Sequence, residues 1–224
     1  MLPSQTVENY LKTIYLAEAA APESSALVPM GQLASALGVV PGTATTMMKA
    51  LAESGLVRYE PFKGVRLTPA GHKLASLVLR RHRLIELFLV RVLGMSWTEV
   101  HDEAEQLEHA VSERLIDRID DMLGRPAVDP HGDPIPASDG TVPRLDHINL
   151  ASAPLGVLVT VERVVDQDAG FLRFIEQRNL MPGRQVRVSE RDLAADALQI
   201  TTSTGESTTV GLRAAAKVMV SLGA

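Results

Sequence analysis

Residues 30–68, MGQLASALGVVPGTATTMMKALAESGLVRYEPFKGVRLT, decide the fold of the first half of the chain. A helical stretch runs to Gly38, where a tight turn leads into a second helix opened by Pro41. Gly55 stops that helix. The following LVRYEPFKGVRLT holds two β-prone runs around Pro61-Phe62-Lys63-Gly64, the pattern of a short hairpin. Upstream, SQTVENYLKTIYLAEAA spaces Val7, Leu11, Ile14 and Tyr15 as a helix does. Downstream, Thr68-Pro69 pairs an N-cap with a proline at the first helical position, and the helix it starts can run as far as Gly94.

Helix, helix-turn-helix and hairpin wing is an order that binds DNA, with the second helix of the pair in the major groove. Its N-terminal Pro41, Gly42, Thr43, Thr45 and Thr46 are placed to meet bases and phosphates. A threonine hydroxyl donates or accepts, and its methyl can touch a thymine methyl. Lys49, Lys63 and Arg66 are expected phosphate partners, because cations there release counterions from the duplex. The alternative is a helical hairpin in an ordinary α core; the wing and the local charge favour DNA.

Charge supports this division. The chain of 224 residues has a formal net charge of −5. Residues 1–94 hold ten Lys/Arg and six Asp/Glu, whereas residues 95–224 hold twelve and twenty-one. A basic first part suits a polyanion and an acidic second part suits cations. The chain contains no cysteine, which excludes disulfides and thiolate metal sites and leaves nitrogen and oxygen as the possible ligands. The opening MLPSQTVENYL lacks the basic and apolar regions of a signal peptide, and the longest apolar run, LIELFLVRVLGM, is too short and charged to span a bilayer. A cytoplasmic protein without a membrane partner is expected.

Beyond Gly94, SWTEVHDEAEQLEHAVSERLIDRIDDMLG reads as one long helix ending at Gly124. Its Leu107, Val111, Leu115, Ile119 and Leu123 form an apolar stripe, read as a homodimer interface or as core packing within one chain. Rotation of about 100° per residue puts His101, Glu105, Glu108 and His109 on an arc of roughly 100° beside that stripe. Carboxylates crowded at a half-buried edge repel one another unless a cation neutralises them. Carboxylate and imidazole together suit Mn²⁺, Fe²⁺, Co²⁺ or Zn²⁺. The preceding helix adds His82 and Glu86, four residues apart in RRHRLIELF. Each fragment alone is more often a solvated charge run; two of them behind a helix-turn-helix favour a metal site. Residues 125–155, with six prolines in RPAVDPHGDPIPASDGTVPRLDHINLASAP, are loop-like. GVLVTVERVV, RQVRVSE, ALQITTS, STTVGL and AKVMVSL then read as five short strands of a small barrel.

ENYLKTIY, the winged helix through LTPAGHKLA, RRHRLIELFL, VHDEAEQLEHAVSERL and DPHGDPIP together resemble the DtxR/MntR metal-dependent repressors, in family order over most of residues 7–140. The resemblance implies a mainly α chain with a small β module. Its expected parts are a winged helix-turn-helix over 1–72, a helical metal-binding and dimerisation domain over 73–140, a linker over 141–155, and an SH3-like, FeoA-type β-barrel over 156–224. It implies a primary metal site of Asn9, His82, Glu105, Glu108 and His109. Glutamate at 105 is the choice of manganese-type members, where iron-type members carry cysteine. Asn9 stands where manganese-type members usually have Asp, and Lys12 where some have Glu. A second site is implied at Glu86, Asp129, His131 and Asp166, with His101 a competing ligand taken from iron-type members. The expected function is that of a homodimeric repressor, not an enzyme, which binds double-stranded operator DNA when Mn²⁺ or Fe²⁺ is held and can take Zn²⁺ or Co²⁺ in vitro. Ligation by Asn9 would tie the first helix to the later ones. The rivals are a winged-helix regulator sensing an organic ligand and a helical carboxylate–histidine metalloenzyme, although no HExxH, P-loop or GxSxG pattern is present.

Overall fold

The computed structural model describes residues 4–20, 27–143, 146–203 and 205–223. The chain forms two compact units, residues 1–82 with 136–142 and residues 83–135 with 143–224. Helix α4 (Pro69–Arg91) begins in the first and continues into the second.

In the first unit, α1 (Gln5–Ala20), α2 (Met30–Ala36) and α3 (Pro41–Glu53) precede the hairpin of β1 (Val57–Glu60) and β2 (Gly64–Leu67). The reason is local. Gly38 takes φ +64 between α2 and α3, a conformation that costs glycine little. Leu11, Ile14, Leu33, Ala44, Met48, Leu51, Val57 and Val65 bury one core beneath these elements. Strands β1 and β2 pair antiparallel from Val57↔Leu67 to Glu60↔Gly64. Thr68 caps α4 by accepting from the Gly71 N–H (3.1 Å), as its place before Pro69 predicts.

The second unit corrects two expectations. The long helix over 96–124 is broken into α5 (Val100–Leu107) and α6 (Glu113–Met122). Ser112 takes an extended conformation (φ −75, ψ 150) and its hydroxyl accepts from the Leu115 N–H. A serine that caps a new helix competes with continuation of the old one. The expected apolar stripe consequently does not stay on one face: Leu107 and Leu115 are exposed, and Ile116, Ile119, Val100 and Ala104 fill the core with Leu84, Ile85, Leu87 and Leu89.

The β module is an antiparallel sheet of β3 (Ile148–Asn149), β4 (Leu158–Val164), β5 (Gln185–Asp192), β6 (Ala197–Thr202), β7 (Ser207–Gly211) and β8 (Val218–Leu222), in the order β3-β8-β4-β5-β6-β7. The five expected strands are present. Also present are β3 and two helices that the strand pattern did not reveal, α7 (Ala169–Gln177) and α8 (Leu212–Ala215). Asp168 caps α7 by accepting from the Phe171 N–H (2.9 Å). Alternate positions Val159, Val161, Val186, Val188, Leu198, Ile200, Val218 and Val220 bury the module's core with Leu172 and Ile175 of α7. Within the stretch expected as linker, Leu150 and Ala153 are fully buried, and residues 144 and 145 lie outside the described residues. Among the described residues no helix is long and apolar enough to cross a membrane.

Candidate metal centre and DNA-binding surface

The proline-rich loop gathers a buried cluster of carboxylates and an imidazole in the second unit. Asp129 uses Oδ1 to accept from the N–H groups of His131 (2.8 Å) and Asp133 (2.9 Å), which folds DPHGD into a tight loop. Gly132 sits in that loop at φ +85, where an added Cβ would lie 1.9 Å from the Glu162 carbonyl oxygen on β4. His131 is fully buried. Its Nε2 lies 2.8 Å from the Trp97 carbonyl oxygen, which can only accept, so the neutral ring carries its proton on Nε2. The Nδ1 lone pair is thereby left facing Glu86 Oε2 at 3.8 Å. Such an orienting bond on the far nitrogen is how metal-ligating histidines are usually held.

Glu86, Asp129 and His131 each offer a ligand atom, and these atoms lie within 4.8 Å of one another with all three residues buried. Asp129 Oδ2 and His131 Nδ1 are buried without a hydrogen-bond partner. Buried polar atoms left in that condition cost free energy that a cation would recover. Electrostatics agree. Burial, then the negative charges of Asp133 and Glu86, push the Asp129 carboxyl up to about 8. Burial alone would lower the His131 pKa; the negative charges of Glu86 and Asp129 outweigh it and raise it. A buried carboxyl and an imidazole that both hold on to protons beside Glu86 form a pocket of negative potential that suits a cation.

Around this triad the other expected residues fall in distinct places. His101, half-exposed on α5, approaches Glu86 Oε1 through Nδ1 at 3.2 Å and Glu105 Oε1 through Nε2 at 3.9 Å. Glu108 is fully buried, just beyond the end of α5, with its Oε1 3.2 Å from His109 Nε2. Since α5 ends at Leu107, this contact comes from a turn and not from the continuous helix of the sequence reading. Asp166 is not in the triad. It pairs with Lys217 at 2.5 Å and accepts from the Asp168 N–H, and although burial opposes it, these bonds hold its carboxyl below the usual range. In the first unit, His82 is buried on α4, one helical turn before Glu86. Asn9 Oδ1 on α1 is buried without a hydrogen-bond partner, a neutral oxygen available to a cation. Lys12 is buried one turn further along.

Sequence reasoning missed Arg83, Asp133, Arg163 and Gln167. Arg83 Nε lies 3.7 Å from Asp129 Oδ2, and its other end is 3.6 Å from Asp133. Arg163 and Gln167 both bind Asp133. The repeated Asp-Pro of DPHGDP was the available signal for Asp133; nothing in the sequence marks its partners.

On the DNA-binding side, Pro41, Gly42, Thr43, Thr46 and Lys49 are exposed along the start and outer face of α3, with Thr45 half-buried. Thr45 and Thr46 donate their hydroxyls back to the carbonyls of Pro41 (2.9 Å) and Gly42 (3.1 Å), which leaves their lone pairs and methyls outward. Lys63 in the hairpin turn pairs with Glu60 at 3.1 Å. Arg66 stands directly across the hairpin from Arg58, an unfavourable like-charge pair that an anionic backbone would relieve.

Three family models match this chain. The iron dependent repressor N-terminal DNA binding domain covers residues 3–65, the iron dependent repressor metal binding and dimerisation domain covers 68–137, and the FeoA domain covers 148–222. The iron-dependent repressor IdeR of Mycobacterium tuberculosis is 32% identical over 195 residues, which span 82% of this chain and 83% of that protein. The HTH-type transcriptional regulator MntR of Lysinibacillus sphaericus is 34% identical over 122 residues, 54% of this chain and 84% of its own. Among solved structures, a manganese-dependent transcriptional repressor in complex with manganese superposes with a TM-score of 0.88 at 40% identity, covering 97% of this chain and 100% of that one.

Proposed function

Because this chain belongs to the iron-dependent repressor family, and is thus a metal-activated DNA-binding regulator of metal homeostasis and not an enzyme, we propose that its activating ion is Mn²⁺. The observation that carries this reading is the pair of buried, unsatisfied ligand atoms, Asp129 Oδ2 and His131 Nδ1, facing Glu86 in a chain without cysteine. An oxygen- and nitrogen-only donor set with Glu105 suits Mn²⁺, and the similarity to a manganese-bound repressor supports it. Fe²⁺ is the competing ion, supported by the likeness to IdeR.

The reading assigns Asn9, His82, Glu105, Glu108 and His109 to the primary ion, and Glu86, Asp129 and His131 to a second. His101 adjoins the second set, and Asp166, which the sequence reading placed there, is engaged by Lys217 instead. When bound, the ion supplies charge that neutralises clustered carboxylates. These side chains hold it only when the imidazoles are neutral, so binding releases protons and weakens in acid. An ion that favours the DNA-competent state shifts the population toward it; a shift from about 1% to about 99% needs roughly 10⁴-fold preference. Residues 1–72 would bind DNA through α3 and the wing, 73–140 would hold metal and dimerise, 141–155 would connect, and 156–224 would form the SH3-like module; the family models support this division into three, with the metal-binding range opening at 68 and the FeoA range at 148. The exposed Leu107, Leu115 and Met122 of α5 and α6 support a homodimer, whose two-fold symmetry suits a palindromic operator in the cytoplasm.

The test is binding of metal-stripped protein to duplexes selected from a random library, titrated separately with Mn²⁺, Fe²⁺ and Zn²⁺. Binding that requires metal and is tightest with Mn²⁺ supports the reading, and Glu108→Ala with His109→Ala should abolish the response. A preference for Fe²⁺ would overturn the choice of ion. Equal binding with and without metal would favour a sensor of organic ligands.

A further inference from the structure

The second cation site has one consequence for the β module that rests on reading Glu86, Asp129 and His131 as ligands. The loop carrying Asp129 and His131 is fastened to β4 and to the residues just after it through groups other than the three candidate ligand atoms. The Arg163 guanidinium forms an ion pair with Asp133 Oδ1 at 2.5 Å, and Asp133 Oδ2 accepts from Gln167 Nε2 at 2.8 Å. Between these, the Val164 N–H donates to the His131 carbonyl (2.8 Å), and Gly132 packs so closely on Glu162 that no side chain fits. The β4–β8 register shifts between Val161 and Arg163, an irregularity of the kind that re-aims a side chain. Asp166, in contrast, is engaged by Lys217.

We propose that Asp133 is a positioning residue, and that the β module controls the second cation site through the Asp133–Arg163–Gln167 clamp instead of by donating a ligand. Asp129 and Asp133 are linked through the backbone of the same tight loop, since Asp129 Oδ1 accepts from the Asp133 N–H while the Asp129 N–H donates to the Asp133 carbonyl (3.0 Å). A cation that pins Asp129 and His131 therefore also fixes the group that grips Arg163 and Gln167. By reciprocity of linkage, the grip raises the affinity for the cation and the cation strengthens the grip. Supporting groups of this kind are worth roughly 10–100-fold in metal affinity.

The experiment uses the full-length protein with Mn²⁺ as probe. It compares wild type with Arg163→Ala/Gln167→Ala, Arg163→Lys, Asp166→Ala and His131→Ala. The number of bound ions and their affinities come from spin resonance titration, and amide exchange at Val164 is followed with and without Mn²⁺. The clamp predicts two ions per wild-type chain, one of them lost in His131→Ala. It predicts about 10-fold or greater weakening of that ion alone in Arg163→Ala/Gln167→Ala, partial recovery in Arg163→Lys, and Mn²⁺-dependent slowing of Val164 exchange that the double variant loses. Asp166→Ala should bind as wild type does. A second ion held within two-fold by the double variant would overturn the clamp while leaving the site. Asp166→Ala weakening the ion as much as the double variant would make Asp166 a ligand and overturn the proposal. One ion per wild-type chain, unchanged by His131→Ala, would overturn site and clamp together.

Discussion

At Asp129 the two oxygens of one carboxylate have separate tasks. Oδ1 shapes the loop by accepting from two backbone N–H groups, and Oδ2 is buried without a hydrogen-bond partner, 3.7 Å from Arg83 Nε. The consequence of burying it beside Asp133 and Glu86 is measurable. Its pKa rises from the ordinary 3.8 to about 8, and that of His131 is raised as well. Between those limits the folded metal-stripped protein holds protons that the unfolded chain releases, so stability is greatest at the acid end and falls as pH rises. The urea midpoint of metal-stripped protein should therefore drop between pH 5 and pH 8, and Asp129→Asn should flatten that slope. A midpoint that rises over the same window would contradict the assignment. The sequence displayed Asp129 and His131 because chemistry-bearing residues stand out in a proline loop. It could not display Arg83, Arg163 or Gln167, whose roles exist only once strands and loop are folded together.

Among the elements, the legible ones had punctuation of their own. Gly38, Gly55 and the Thr68-Pro69 pair marked the helix-turn-helix and the start of α4, and the structure places them at those ends. The break between α5 and α6 was hidden because the apolar spacing carries on across it. Ser112 is one serine among many until its hydroxyl is seen to accept from the Leu115 N–H. Ser112→Ala should cost about 1 kcal/mol of stability in denaturant titration. It should also blur the turn that sets Glu108 against His109, which a serine exposed on a continuous helix would not do. Helix α7 was missed for a different reason: at nine residues between strands, its apolar Phe171, Leu172, Phe174 and Ile175 span little more than one helical turn, too short a run to stand out from the surrounding β pattern.

For the whole molecule, charge is divided as function requires, with a basic first part and an acidic remainder. Each phosphate contact adds to the salt dependence of DNA binding, so Lys49→Ala should weaken binding to all duplexes alike and reduce the log–log salt slope by about 1. A change confined to one DNA sequence would instead make Lys49 a reader of bases. The chain's one tryptophan, Trp97, hands its carbonyl to His131 and lies with its indole ring 5.5 Å from that imidazole. The protein thus carries its own optical gauge. Paramagnetic Mn²⁺ arriving at His131 Nδ1 should quench the intrinsic emission, Zn²⁺ should leave most of it, and a His131→Ala chain should stay bright through the same titration. Occupancy of the second site can then be followed in unlabelled protein, second by second, while DNA is bound or released.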